Sequence, residues 1–255
     1  LDKVDFNNDV IFTWNGTTAG VKVPNGDWID SNRSGLTLCD ATSAVLAMDL
    51  PWNKLDATSF SWQKVLGGEA QHGILVLSPR AVERLENFIP SWPIPKLFRL
   101  ANKGVFQRKI FNGSTINTPS MLCIEDAIHS LQWVKSIGGA NSMVKRSLSN
   151  LQAIEKWENK TDWIEFLAQN KDIRSSTSIC LKIIDPWFLK LDKDKKKDIL
   201  KTFFSLLEDK QAAYDINHYP SAPPGIRIWG GGTVETSNIE LLLPWLDWAW
   251  EYLEK

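Results

Sequence analysis

Short apolar runs alternate with turn residues through the first third of the chain. These runs lie at residues 10–12, 36–39, 57–60 and 73–77, and residues 81–88 follow Ser78-Pro79 with helical spacing. Apolar runs of this length between turn residues are typical of strands, and proline suits the first turn of a helix. The pattern therefore predicts an α/β layer built around a sheet.

The middle of the chain changes from strands to a loop and two helices. Prolines at 90, 93 and 95 exclude regular structure there, and residues 96–118 are basic and dotted with glycine. We interpret this stretch as a long loop, which in a compact domain is usually functional. Helices are predicted at residues 120–136 and 141–156, with Gly138-Gly139 ending the first of them.

Beyond residue 156 a second pattern begins. A β-rich run at 176–184, an amphipathic helix at 193–211 and a strand at 225–229 precede a final apolar helix. Ser237 and Glu240 have the spacing of a capping box for that helix, and Pro244 is expected to bend it. The order strand, helix, strand, helix predicts a small C-terminal α/β domain over residues 156–255.

Charge and cysteine content exclude several classes of partner. The chain has 29 basic and 30 acidic residues, so no general electrostatic grip on nucleic acid or on a membrane surface is expected. Its most apolar stretch, 239–253, contains Glu240, Pro244 and Asp247 and is too polar to span a membrane. Three widely spaced cysteines indicate neither a metal site nor a disulfide framework, which favours the cytoplasm.

Polar segments follow three of the predicted strands, at residues 14–20, 39–43 and 59–68. Loops at the carboxyl ends of strands line the ligand crevice of an open α/β sheet, so these segments are expected to converge. Asp40 needs a cationic partner if it is buried, and the protonated nitrogen of a pyridine ring is such a partner. Lys64, partly removed from water, suits bonding to an aldehyde. Singly, each residue is more commonly a capping carboxylate or an exposed lysine; the pair in this order is stronger evidence.

Three longer strings make the chain similar to a known family. They are SFSWQKVLGGE at 59–69, INTPSM at 116–121 and GIRIWGGGTVET at 225–236. Through them the chain resembles the phosphoserine aminotransferases, class V members of the fold-type-I pyridoxal-phosphate enzymes, over nearly all its length. The resemblance implies an α/β fold in which residues 1–155 are the C-terminal part of the large cofactor-binding domain, with a mixed, mostly parallel sheet.

The resemblance also implies roles for individual residues. Lys64 would bond the aldehyde of pyridoxal 5′-phosphate and carry the catalytic proton, with Asp40 on the ring nitrogen. Arg227 would hold the substrate α-carboxylate, and no metal is expected. The implied cofactor-binding residues are Thr17, Asp40, Ser43, Gln63, Lys64, Asn117 and Thr118. Because Asn117 and Thr118 would reach the cofactor of a second subunit, a homodimer with shared active sites is expected.

The implied reaction is amino transfer between L-glutamate and 3-phosphohydroxypyruvate, a step of serine biosynthesis. Two alternatives stay open: another class V activity, of the alanine–glyoxylate or serine–glyoxylate type, and a non-catalytic remnant. Family members are longer at the N-terminus, where they carry further cofactor contacts. We therefore expect weak activity, or none, from this chain alone.

Overall fold

The computed structural model describes residue 1 and residues 3–253. Its strands are β1 (Val10–Thr13), β2 (Asn15–Gly16), β3 (Val21–Lys22), β4 (Thr37–Asp40), β5 (Ala57–Phe60), β6 (Ile74–Leu77), β7 (Ala101–Asn102), β8 (Val105–Phe106), β9 (Ile164–Phe166), β10 (Ser178–Ile183) and β11 (Gly225–Trp229). Its α-helices are α1 (Pro79–Asn87), α2 (Arg108–Phe111), α3 (Met121–Ser136), α4 (Ala140–Glu158), α5 (Pro186–Leu189), α6 (Lys193–Asp209) and α7 (Thr236–Leu253).

The first sheet has four strands in the order β1-β4-β5-β6. Strands β1, β4 and β5 are mutually parallel, and β6 is antiparallel to β5. The predicted α/β class and mixed, mostly parallel sheet are thereby confirmed. Because parallel strands all end at the same edge, the segments that follow Thr13, Asp40 and Phe60 emerge side by side.

The second sheet is fully antiparallel, with the order β11-β10-β9. Trp163, Phe203 and Trp250 pack in its core, where the indole rings of Trp163 and Trp250 stack with centroids 4.7 Å apart. The polar edges of two indoles are satisfied by Asp247, whose carboxylate accepts hydrogen bonds from the N–H groups of Trp157 at 2.8 Å and Trp163 at 2.9 Å. Large aromatic side chains are thus buried without unpaired donors at these positions.

Buried hydrophobic side chains form two clusters, one beneath each sheet, and α4 contributes to both. Met143, near its start, belongs to the cluster of the first sheet, whereas Leu151 and Ile154 belong to that of the second. Helix α4 also packs along α7. The predicted boundary at residue 155 falls inside α4; the two-domain division itself stays a prediction.

Two local predictions are wrong. Helix α7 begins at Thr236, so Ser237 lies within the helix and does not cap it; the Thr236 hydroxyl instead donates to Asn150 Oδ1 at 2.7 Å. The stretch 96–118 is also more ordered than a loop. It contains the β7–β8 hairpin and α2, and the hairpin turn places Lys103 and Gly104 at φ values of 49° and 77°. Such left-handed backbone suits glycine at the second position.

The described residues do not meet the requirements of a membrane-spanning helix, a metal-ligand cluster or a disulfide bond. Every helix among them is too short or too polar to cross a lipid bilayer. Within the same residues no group of three or more histidine, cysteine or acidic side chains is arranged to hold a metal ion. All three cysteines are buried free thiols.

Candidate functional site

Asp40 stands exposed at the carboxyl end of β4. One carboxylate oxygen, Oδ1, accepts hydrogen bonds from the backbone N–H of Thr42 at 2.9 Å and from its hydroxyl at 2.6 Å. The other oxygen has no hydrogen-bond or ionic partner among the described residues. Burial and the neighbouring Asp40 charge raise the pKa of the Cys39 thiol to about 12, so this thiol stays protonated. The second Asp40 oxygen, and not the thiol, is therefore the group at this strand end that can pair with a cationic ligand.

Lys64 and Arg227 line the same cavity, which has a volume of about 700 Å³. Gln63 and Lys64 come from the turn that follows β5, while Arg227 comes from the body of β11 on the second sheet. Residues 212–216 form a further part of the wall. The side chain of Lys64 is half-buried and forms no ion pair with a described residue. The cavity therefore offers a free amine and a guanidinium to one ligand.

The guanidinium of Arg227 retains much of its hydrogen-bonding capacity. Its Nε is buried without a hydrogen-bond partner in the described part of the chain, and its Nη2 lies 4.0 Å from Asp215 Oδ2, too far for a hydrogen bond. The guanidinium carbon lies 4.7 Å from the ring centroid of Tyr219. A flat carboxylate meets such a guanidinium through two parallel charge-assisted hydrogen bonds, so an α-carboxylate fits this site.

Thr17 and Ser43 differ in how free their hydroxyl groups are. Thr17 is half-buried, and its hydroxyl forms no hydrogen bond with a described residue, so it stays available to a ligand. Ser43 is buried, and its hydroxyl oxygen accepts a hydrogen bond from Asn15 Nδ2 at 2.8 Å. Ser43 therefore stabilises the fold through this hydrogen bond. Its predicted contact with the cofactor stays a prediction.

Asn117 and Thr118 lie apart from the cavity of Lys64 and are exposed. The carbonyl of Asn117 accepts a hydrogen bond from the Thr115 hydroxyl at 2.8 Å, while the side chains of Asn117 and Thr118 have no hydrogen-bond partner among the described residues. Their predicted role in a second subunit stays a prediction. Sequence reasoning missed Tyr219 and Asp215 altogether, because no motif marks the segment in which they lie.

The residues at the carboxyl edge of the first sheet suit pyridoxal phosphate. Asp40 lies opposite Ser59 in the β4–β5 register, and Lys64 follows β5 after a single turn. Within the described residues, the Lys64 amine has no counter-ion, one Asp40 oxygen has no partner and the Thr17 hydroxyl has no hydrogen bond. These groups match an aldehyde, a protonated ring nitrogen and a phenolic oxygen, respectively. The donor set therefore fits this cofactor in chemical type, although Asp40 and Thr17 stand on the same sheet edge and do not line the cavity of Lys64.

Solved structures share this arrangement of sheets and helices. The phosphoserine aminotransferase of Cytophaga hutchinsonii superposes with a TM-score of 0.75 at 21% identity, covering 94% of this chain and 63% of that one. The enzyme of Bacillus circulans subsp. alkalophilus gives 0.72 at 16% identity, with 96% and 60% covered. The alanine–glyoxylate aminotransferase of a Nostoc species gives 0.72 at 16%, with 94% and 61% covered. The chain thus has the fold of the class V aminotransferases.

Sequence comparison narrows this class to one family. The phosphoserine aminotransferases of Methanosarcina barkeri and Methanosarcina mazei are 55% and 54% identical to the chain over 254 residues, which cover 100% of it. The chain spans 66% of the length of each. No protein-family model matches. The chain belongs to the phosphoserine aminotransferase family, as its strings predicted.

Proposed function

We propose that the chain acts in a pyridoxal-phosphate-dependent phosphoserine aminotransferase, which transfers an amino group between L-glutamate and 3-phosphohydroxypyruvate in serine biosynthesis. The observation that carries the proposal is the shared cavity of Lys64 and Arg227. Lys64 suits the cofactor aldehyde, and Arg227 suits the carboxylate of an amino acid. The Methanosarcina relatives are named phosphoserine aminotransferases, which supports phosphoserine as one partner of the transfer.

Lys64 is the central residue of the proposed chemistry. The bound cofactor supplies a ring that accepts electrons from the substrate α-carbon. Lys64, a half-buried amine with no ion-pair partner among the described residues, would remove the proton from the substrate α-carbon and deliver it to C4′ of the cofactor. Asp40 keeps the ring nitrogen protonated through its free oxygen, which preserves the ring as an electron acceptor.

The remaining residues hold and orient the substrate and the cofactor. Arg227 binds the substrate α-carboxylate through its unsatisfied guanidinium, which fixes the α-carbon near Lys64. Thr17 donates its free hydroxyl to the phenolic oxygen, and Gln63, on the cavity wall beside Lys64, contacts the cofactor phosphate. Ser43 supports this region from the buried side.

A cytoplasmic homodimer completes the proposal. The exposed loop of Asn117 and Thr118 leads into α3, where Met121 and Leu122 are also exposed. Apolar side chains beside free polar ones favour a protein interface, and the loop would extend Asn117 and Thr118 into the site of the second subunit. Three buried free thiols suit a reducing compartment.

The first experiment adds pyridoxal phosphate to the protein and records its visible absorption. We expect an absorption band that Lys64→Ala removes and that Lys135→Ala, an exposed lysine on α3, leaves unchanged. An identical band in the Lys64→Ala variant would refute the attachment site. Turnover of phosphoserine is then compared with that of serine and alanine; preference for the unphosphorylated acids would replace the proposed substrate with one of another class V enzyme.

A further inference from the structure

Four consecutive hydroxyl side chains lie fully buried where the second sheet begins. Ser175, Ser176, Thr177 and Ser178 are 1%, 2%, 0% and 1% exposed. Burying hydroxyl groups is unfavourable unless they find hydrogen-bond partners, so a run of four requires an explanation. We call residues 175–178 the hydroxyl run. Residues 176–178 fall in the predicted β-rich segment 176–184 and Ser175 lies just before it; no role proposed above uses the run.

The hydroxyl run bonds to the segment that carries Thr17. The Ser178 hydroxyl donates to the carbonyl oxygen of Thr17 at 2.9 Å. The backbone N–H of Ser175 donates to the carbonyl of Gly20, also at 2.9 Å. The Thr177 hydroxyl accepts from Asn15 Nδ2 at 3.0 Å. Three members of the run thus hold the segment 15–20 at its beginning, middle and end.

Close packing adds to these hydrogen bonds. Gly20 has a φ of 65°, and a Cβ atom built there would lie 2.9 Å from Cys180 Cβ and 3.0 Å from the carbonyl oxygen of Ser178. The sulfur of Cys180 lies 3.5 Å from the Thr17 carbonyl oxygen. Only glycine allows the segment to approach β10 this closely. The contact is therefore tight as well as polar.

The same strand is paired with the strand of Arg227. In the antiparallel β10–β11 ladder, Cys180 lies opposite Arg227 and Ser178 lies opposite Trp229. Strand β10 therefore holds Thr17 through a side chain and Arg227 through its backbone. The path from one proposed ligand contact to the other crosses two adjacent strands.

We infer that Ser178 is a positioning residue, which holds Thr17 in register with Arg227 and thereby sets the cofactor relative to the substrate carboxylate. This inference rests on the proposed function, because it assumes that Thr17 contacts the cofactor. Ser178 itself touches neither ligand. It acts by fixing the carbonyl of Thr17, which limits the directions available to the hydroxyl of the same residue.

The test compares Ser178→Ala with Ser176→Ala. Both changes remove one buried hydroxyl, but Ser176 Oγ approaches only the carbonyl of Ala47, at 3.4 Å, and does not reach Thr17. We expect both variants to lower the melting temperature, whereas only Ser178→Ala raises the Kd for pyridoxal phosphate, by about 3- to 10-fold for one lost hydrogen bond. Titration of the visible absorption measures the Kd.

Two further variants keep the test decisive if Ser178→Ala does not fold. Ser178→Cys retains the shape of the side chain with a weaker donor and should raise the Kd by a smaller factor. Gly20→Ala displaces the segment without removing a hydroxyl and should raise the Kd as well. Equal Kd values for Ser176→Ala and the Ser178 variants would overturn the inference and leave the proposed function intact. A wild-type protein that shows no Lys64-dependent absorption would overturn both.

Discussion

The first sheet has a carboxylate at each of its two ends, and the two differ in burial and in charge pairing. At the amino end of β5, Asp56 is buried and pairs with Arg33 at 3.0 Å and Arg80 at 3.1 Å. At the carboxyl end of the neighbouring parallel strand, Asp40 is exposed and, among the described residues, bonds only to Thr42. The first carboxylate has its charge compensated within the fold, and the second keeps an oxygen free. The charge that stabilises the fold is paired internally, whereas the charge that we propose to meet a ligand keeps an oxygen unpaired within the described residues.

The second sheet shows the same difference between two arginines. Arg174 is buried, pairs with Glu155 at 2.8 Å and stacks over the ring of Phe166 at 3.8 Å. Arg227 has a buried Nε without a partner in the described structure. The Arg174 side chain is 7% exposed and the Arg227 side chain is 18% exposed, so both are largely removed from water. They differ more clearly in the number of hydrogen bonds that described residues provide.

The largest expected effect is on stability, at the paired end of the first sheet. Asp56→Ala leaves the guanidinium of Arg33, of which only 5% is exposed, buried without its partner. Removing one member of a buried ion pair costs about 3–5 kcal/mol of unfolding free energy. Asp40→Ala, at the exposed end, should change stability by about 0.5 kcal/mol or less and affect cofactor absorption instead.

Chemical denaturation of the two variants measures this difference. Equal losses of unfolding free energy would mean that pairing does not distinguish the two ends, and the comparison would fail. The comparison is supported best if each variant loses a different property. Asp56→Ala should lower stability while bound cofactor is still detectable, and Asp40→Ala should keep its stability while cofactor absorption is lost.

Arg227 provides the next largest effect. Arg227→Met keeps an apolar stem but removes the guanidinium, so the KM for the amino-acid substrate should rise about 100-fold from the loss of a desolvated charge pair. Binding of pyridoxal phosphate should persist. Arg84→Met is the matched control, because Arg84 forms an exposed pair with Asp9 at 3.0 Å, well outside the cavity. A similar KM for both variants would remove Arg227 from the carboxylate site.

The pH dependence of stability should follow Asp56. Burial alone raises the pKa of this carboxyl, but hydrogen bonds from Thr37, Ser78 and Arg33 outweigh it and hold the pKa below its usual value. A lowered folded-state pKa gives stability that is complete above the unfolded pKa of about 3.9 and is lost as the pH falls through the folded value. Asp56→Asn should therefore be less stable than the wild type by about 2 kcal/mol at neutral pH, with a gap that narrows below about pH 4.

Unfolding curves at several pH values provide the test. The gap between wild type and Asp56→Asn is the relevant quantity, because other carboxylates contribute equally to both proteins. A gap that stays constant from neutral pH down to the acid limit would contradict the assignment of a depressed pKa to Asp56.

Local sequence signals predicted most of the fold. Strands 57–60 and 225–229 have the bounds that their apolar runs indicated, and α3 starts after Ser120, whose side chain accepts from the Cys123 N–H. These features depend on neighbours a few residues away. The start of α7 was missed because Thr236 bonds to Asn150, which is distant in sequence.

The candidate site was predictable only in part. Family strings identified Lys64 and Arg227, and the structure places both on one cavity. The hydroxyl run was not identified as a separate feature, because serine and threonine are common in exposed segments and their partners lie far away: Ser178 reaches Thr17 across most of the chain. Long-range hydrogen bonds leave no periodic signal in the residues that form them.

Substitution of Tyr219 has the smallest expected effect, and it tests whether the tyrosine ring helps to orient the guanidinium of Arg227. Its ring lies 4.7 Å from the guanidinium carbon of Arg227, where a cation–π contact contributes about 0.5–1 kcal/mol. Tyr219→Leu should raise the KM for the amino-acid substrate about threefold, while Tyr219→Phe, which keeps the ring, should match the wild type. If both variants raise the KM alike, the hydroxyl of Tyr219 matters more than its ring, and the cation–π contact is not what orients Arg227. If neither does, the guanidinium is oriented by β11 alone.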